Sequence, residues 1–185
     1  MKTVFSLLAG MFCLCAVAAQ TDTAQTTSQR PAAAKPHAHV HGIGKLQIAI
    51  DGKTLLLNLE TPLDNLIGFE HVPRTEVQKA ALNNMVARLN KASTLFLPTA
   101  AADCTPESIK LTSPVLEPKG MSEGVVHADL DAEVVFRCKR PDALRDLEVR
   151  LFDDFPNLRQ VDVVVASPRG QAAATLAPGQ RRISW

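Results

Sequence analysis

Two alternating apolar runs joined by Asp51-Gly52 constrain this chain more than any other feature. On one side Leu46, Ile48 and Ile50 alternate with Gln47, Ala49 and Asp51, and on the other Leu55, Leu57 and Leu59 continue the pattern. Successive side chains of a strand point to opposite faces, so a period of two gives each strand one apolar row. Asp-Gly tolerates the positive φ of a two-residue hairpin turn. The stretch predicts an antiparallel hairpin with one face in a core. Three of the five histidines, His37, His39 and His41, stand at alternate positions just ahead of it and are followed by Gly42. In an extended backbone they share one side.

A second alternation is longer. Val126, Ala128, Leu130, Ala132, Val134, Phe136 and Cys138 are apolar or small, while His127, Asp129, Asp131, Glu133, Val135 and Arg137 take the other face. This predicts a half-buried strand with an acidic outer row. Thr75 and Gln78 have the spacing of a capping box. Val77, Ala81, Met85 and Leu89 then recur every four residues with Leu82 and Val86 beside them, predicting one amphipathic helix over about 75–91. Leu95-Phe96-Leu97 is a short apolar piece stopped by Pro98, while Ile109-Lys110-Leu111, Leu147 to Leu151, Val161 to Val165, Ala172 to Leu176 and Arg182 to Trp185 read as further strands. Pro106, Pro114, Pro118 and Gly120 interrupt the region between Asp103 and Gly124. The expected fold is α+β: a mostly antiparallel sheet of several hairpin-linked strands, with one main amphipathic helix packed on it.

The amino-terminal part has another character. Lys2 is followed by an uncharged apolar run from Val4 to Ala18, and Val17-Ala18-Ala19 offers small residues for cleavage before Gln20. Residues 1–19 read as a secretory signal that discards Cys13 and Cys15 and leaves no stable membrane span. Residues 20–36, rich in Thr, Gln, Ala and Pro, read as a flexible linker, and 37–185 as a single domain. The implied location is an oxidising compartment reached by export. Cys104 and Cys138 are then the two cysteines of the exported chain, and a disulfide between them is expected. Two free buried thiols or half of a metal site are the alternatives.

A net charge of +1, the absence of Tyr and the lack of a basic stripe argue against nucleic acid as a partner. No phosphate-cradling glycine loop is present and no catalytic triad is recognisable. The chemistry the sequence does offer is metal ligation. Zinc takes His, Cys and carboxylate donors, commonly four. His37, His39 and His41 can supply two or three, and His127 with Asp129 is the next candidate pair. Glu70-His71 lies in an apolar connection where His71 serves either as a ligand or as a hydrogen-bonded structural residue. Copper is the alternative metal. A non-metal envelope module with an incidental histidine run, and a metal hydrolase with Glu70 as base, are the competing functional classes.

Several pieces in this order resemble the ZrgA-type zinc uptake family. They are His39-Val40-His41-Gly42, Leu46 to Gly52, Asn65-Leu66-Ile67-Gly68-Phe69-Glu70-His71-Val72-Pro73-Arg74-Thr75, Leu95-Phe96-Leu97-Pro98 with Cys104, His127-Ala128-Asp129, Phe136-Arg137-Cys138 and Leu151-Phe152-Asp153-Asp154-Phe155-Pro156. The resemblance covers about 37–185. It implies a bacterial periplasmic protein that binds zinc, works with an ABC-type zinc importer and catalyses no reaction. It carries ligand roles to His39, His41, His127 and Asp129, with His37 extending the entry, and leaves Glu70 and His71 as ligand or structural residues. Members often have a His- and acid-rich insertion after the first mature cysteine. Residues 105–126 hold no histidine here, which implies one or two sites rather than a high-capacity collector.

Overall fold

The computed structural model describes residues 40–117 and 127–185. The proposed signal and linker, and with them His37 and His39, lie outside the described residues. The first hairpin forms as its alternation requires. β1 (Ile43–Asp51) and β2 (Thr54–Pro62) pair antiparallel, Leu46 opposite Leu59 and Asp51 opposite Thr54. Gly52 takes φ 53° in the turn, a conformation glycine adopts without steric cost.

Chain reversals after β2 are tight. A single helical turn, α1 (Asp64–Ile67), ends on Gly68 in the left-handed region at φ 79°. The one helix of more than a turn among the described residues is α2 (Glu76–Leu89). Its start is the expected capping box: Gln78 N–H donates to Thr75 Oγ1 at 3.2 Å, and Thr75 N–H donates to Gln78 Oε1 at 3.3 Å. The helix attaches by its second half. Met85 and Leu89 join the core, while Val77 is 79% exposed. A second short turn, α3 (Ala92–Leu95), leads into β3 (Phe96–Pro98).

β4 (Cys104–Thr112) is longer than the sequence suggested, because Pro106 is absorbed by a register shift between Pro106 and Ser108 on an edge strand. β5 (Asp129–Cys138) is the expected long strand, with Leu130, Ala132, Val134, Phe136 and Cys138 buried. β6 (Asp146–Val149), a turn α4 (Leu151–Asp154), β7 (Gln160–Ser167), β8 (Gly170–Leu176) and β9 (Arg182–Ser184) complete the chain.

The strands form two sheets, one of six in the order β4-β5-β2-β1-β7-β8 and one of three in the order β3-β6-β9. The α+β class holds, but the large sheet is mixed rather than the mostly antiparallel one expected. β1 runs parallel to β7, Leu46 beside Val163 and Ile48 beside Val165. An alternating pattern places side chains on faces and is silent on strand direction, so the parallel pair left no mark in the sequence. One face of the large sheet carries Leu46, Ile48, Leu55, Leu57, Leu59, Val134, Phe136, Val161 and Val163 into the core. A disulfide joins Cys104 to Cys138, directly opposed residues of β4 and β5.

Candidate metal centre

Three segments meet at one end of the large sheet: the turn that enters β1, the loop that leaves α1, and the residues that enter β5. Each contributes one donor. His41 precedes Gly42 in the turn, Glu70 follows the left-handed Gly68, and His127 stands just before the buried Ala128. Leu63 N–H donates to Ala128 O at 2.9 Å and fixes the β5 entry against the end of β2.

Both imidazoles converge on a single carboxylate. His41 Nε2 lies 3.1 Å from Glu70 Oε1, and His127 Nδ1 lies 2.5 Å from Glu70 Oε2. One donor atom from each of His41, Glu70 and His127 falls within 4.8 Å of the other two. Burial is unequal. Glu70 is 7% exposed, while the His41 and His127 side chains are 55% and 64% exposed. A buried carboxylate needs hydrogen-bonded partners to offset lost hydration, and the two imidazoles provide them. Two nitrogens and a carboxylate oxygen are the donor types zinc takes, at about 2.0–2.2 Å each. Gathering them around one ion requires small rotations of two exposed side chains and leaves the buried oxygen pair as an anchor. Three donors leave a fourth position for water or a further ligand.

The surroundings are ordered by residues that sequence reasoning did not single out. Asp64 Oδ2 lies 3.6 Å from His41 Nδ1, on the opposite side of the ring from Glu70. Asn65 is 1% exposed, and its carboxamide reaches Gly42, Ile43 and Thr61. Arg159 donates through Nη2 to His41 O at 3.2 Å and through its backbone N–H to Gly42 O at 2.8 Å. Gly42 has φ +88°, a conformation that favours glycine, and a Cβ there would also push aside the Arg159 guanidinium. The one available signal was a polar Asn65 ahead of Leu66-Ile67: a buried amide must find partners.

Of the residues expected from sequence, His41, His127 and Glu70 are brought together. His71 is not: its Nδ1–H donates to Val72 O at 2.9 Å and its ring lies 5.1 Å from that of Phe69. Asp129, the first residue of β5, pairs with Pro62 of β2 and stands outside the three-donor group. His37 and His39 lie outside the described residues.

A search of curated proteins gives no match to this chain. The profile of the ZrgA family zinc uptake protein matches residues 38–185, a span that takes in all three converging donors. With that match over most of its length, the chain belongs to the ZrgA family of zinc uptake proteins.

Proposed function

We propose that this protein is an exported, periplasmic zinc-binding accessory of zinc uptake, which captures Zn²⁺ and hands it to an ABC-type importer. The observation that carries the reading is the convergence of His41 and His127 on the buried carboxylate of Glu70, in a chain of a zinc uptake family. His37 and His39, on the same entry, are proposed to add donors to the set. Export is supported by the signal-like residues 1–19, and a disulfide between the two remaining cysteines suits an oxidising compartment. Among the described residues no helix is long and apolar enough to cross a membrane.

The arrangement suits a cargo better than a permanent structural ion. A closed structural site surrounds zinc with four protein ligands. Here the two imidazoles face solvent, and the buried carboxylate holds the ion from beneath. A partner's donor can enter the open position and displace the imidazoles in turn.

Calorimetric titration of residues 20–185 with zinc tests this, run beside His127→Ala and a variant with His37, His39 and His41 all changed to alanine. Near-stoichiometric binding is expected, weakened in each variant by at least the roughly tenfold that losing a group which only orients a ligand costs. Binding that is equal in all three chains sinks the reading and returns the protein to the class of non-metal envelope modules. Competition with Cu²⁺ checks the metal, since the affinity order of divalent ions favours copper in vitro.

A further inference from the structure

We propose that Asn65 is a positioning residue of this site: it holds the His41-Gly42 backbone where the imidazole reaches Glu70. The inference rests on the reading of His41, Glu70 and His127 as a metal site.

Asn65 is buried, and its carboxamide is satisfied on both sides. Oδ1 accepts from Gly42 N–H at 2.5 Å, while Nδ2 donates to Ile43 O at 3.0 Å and to Thr61 Oγ1 at 2.9 Å. The amide orientation follows from its partners, because a backbone N–H needs an acceptor and a carbonyl needs a donor. Gly42 is thus gripped through the peptide units on both of its sides. Asn65 takes its N–H, and the backbone N–H groups of Arg159 and Gln160 both take its carbonyl, at 2.8 and 2.9 Å. His41 is the residue immediately before this clamped glycine.

The placement of Asn65 in the chain adds the second half of the argument. It lies in α1, the single turn whose left-handed exit at Gly68 delivers Glu70. One side chain therefore ties the backbone of one donor to the segment that presents another. Hydrophobic packing does not supply this tie, since apolar contact is non-directional and α1 is only four residues long. A buried, fully satisfied amide fixes a register that a leucine of similar size does not.

The test uses zinc titration together with Co²⁺ as a spectroscopic probe of ligand geometry. Five chains are compared: wild type, Asn65→Ala, Thr61→Val, Leu66→Ala and His127→Ala. Leu66 is a buried apolar neighbour in the same turn, so its loss weakens α1 without touching the Gly42 hydrogen bond. Asn65→Ala is expected to weaken zinc about tenfold or more, the effect typical of groups that orient ligands, and to shift the visible Co²⁺ bands. Thr61→Val removes one partner of the amide and is expected to move both readouts the same way by less. Leu66→Ala is expected to lower Tm while keeping zinc affinity within about twofold and the Co²⁺ spectrum unchanged. Wild-type affinity and spectrum in Asn65→Ala overturn the proposal, as does an equal loss in Leu66→Ala. Should Asn65→Ala not fold, an unaltered Co²⁺ spectrum in Thr61→Val overturns it. Failure of the metal reading is seen separately, as wild type binding zinc no better than His127→Ala. The His41 ring resonances of metal-free Asn65→Ala then decide: moved from wild type they uphold the positioning role, unmoved they remove it.

Discussion

At its Cys138 end, β5 is tied to β4 by a covalent bond, and at its His127 end it is held by a backbone hydrogen bond from Leu63 and by polar side chains from two other segments. The first junction is closed. Cys138 is 1% exposed, faces Cys104 in register, and its N–H donates to Lys53 O at 2.8 Å. Lys139 adds an exposed ion pair to Asp103 at 3.1 Å. The second junction gathers His127, Glu70 and His41 within 4.8 Å, with both imidazoles open to solvent. Between the two runs the same apolar row, Leu130, Ala132, Val134 and Phe136. One strand thus carries a permanent staple at one end and, on our reading, an exchangeable one at the other. Keeping the two apart lets the fold persist whether or not a ligand occupies the second junction.

The largest effect expected is loss of the covalent end. The disulfide closes a loop with a sequence separation of 34, for which chain entropy gives about 3–4 kcal/mol of stabilisation. Urea unfolding of a Cys104→Ser, Cys138→Ser chain is expected to show a loss of that size, with zinc affinity within about twofold of wild type at temperatures where the chain stays folded. A collapse of zinc affinity in the still-folded variant would break the comparison, since the two ends would then be one cooperative unit.

The second effect comes from the other end. A ligand that binds only the folded chain stabilises it by about 2.7 kcal/mol at one hundred times its Kd. Calorimetric melting is therefore expected to show a zinc-dependent rise in Tm of several degrees. Glu70→Gln keeps the shape of the side chain and removes its charge, and is expected to abolish that rise. A full rise in the variant would mean that zinc holds the fold from somewhere else.

What the sequence made legible follows from the range of the forces involved. Asp51-Gly52, the Thr75/Gln78 capping box and the alternation of β5 are local, so each was readable where it stands. The parallel pairing of β1 with β7 joins residues more than a hundred apart, Ile48 beside Val165, and no local pattern encodes it. The extent of β4 was hidden by Pro106, which an edge strand accommodates and a central strand does not. The site divides in the same way. His41 and His127 stood out by residue type. The joining role of Glu70 did not, because it depends on α1 and the left-handed Gly68 turning the chain back. Asn65 was hidden for a related reason: its three partners, Gly42, Ile43 and Thr61, are brought to it by the hairpin that precedes it.

The smallest effect sharpens the comparison from the middle of β5. Asp131 faces Glu60 directly across the β2–β5 ladder and Thr112 across the β4–β5 ladder. Lys45 stands opposite Glu60 on the far side. Burial first, and the Glu60 charge second, push the Asp131 carboxyl above its ordinary pKa. The sign follows from which state binds the proton better. With its pKa raised in the folded chain, Asp131 binds a proton more tightly there than in the unfolded chain. At neutral pH its ionised form therefore disfavours the fold, and that penalty disappears as the pH falls through the folded-state value toward the unfolded value of about 4. Asp131→Asn removes the charge at every pH. Like charges directly opposed on a sheet cost about 0.2–1 kcal/mol, so the variant is expected to match or exceed wild-type stability by that much at pH 7 and to lose the advantage as the pH nears 4. Urea unfolding across that range, with zinc affinity measured alongside, makes the check. Unchanged zinc affinity with a pH-dependent gain in stability places Asp131 on the solvated face of the strand. A loss of affinity would extend the metal site along β5, and the separation of the strand's two ends would no longer hold.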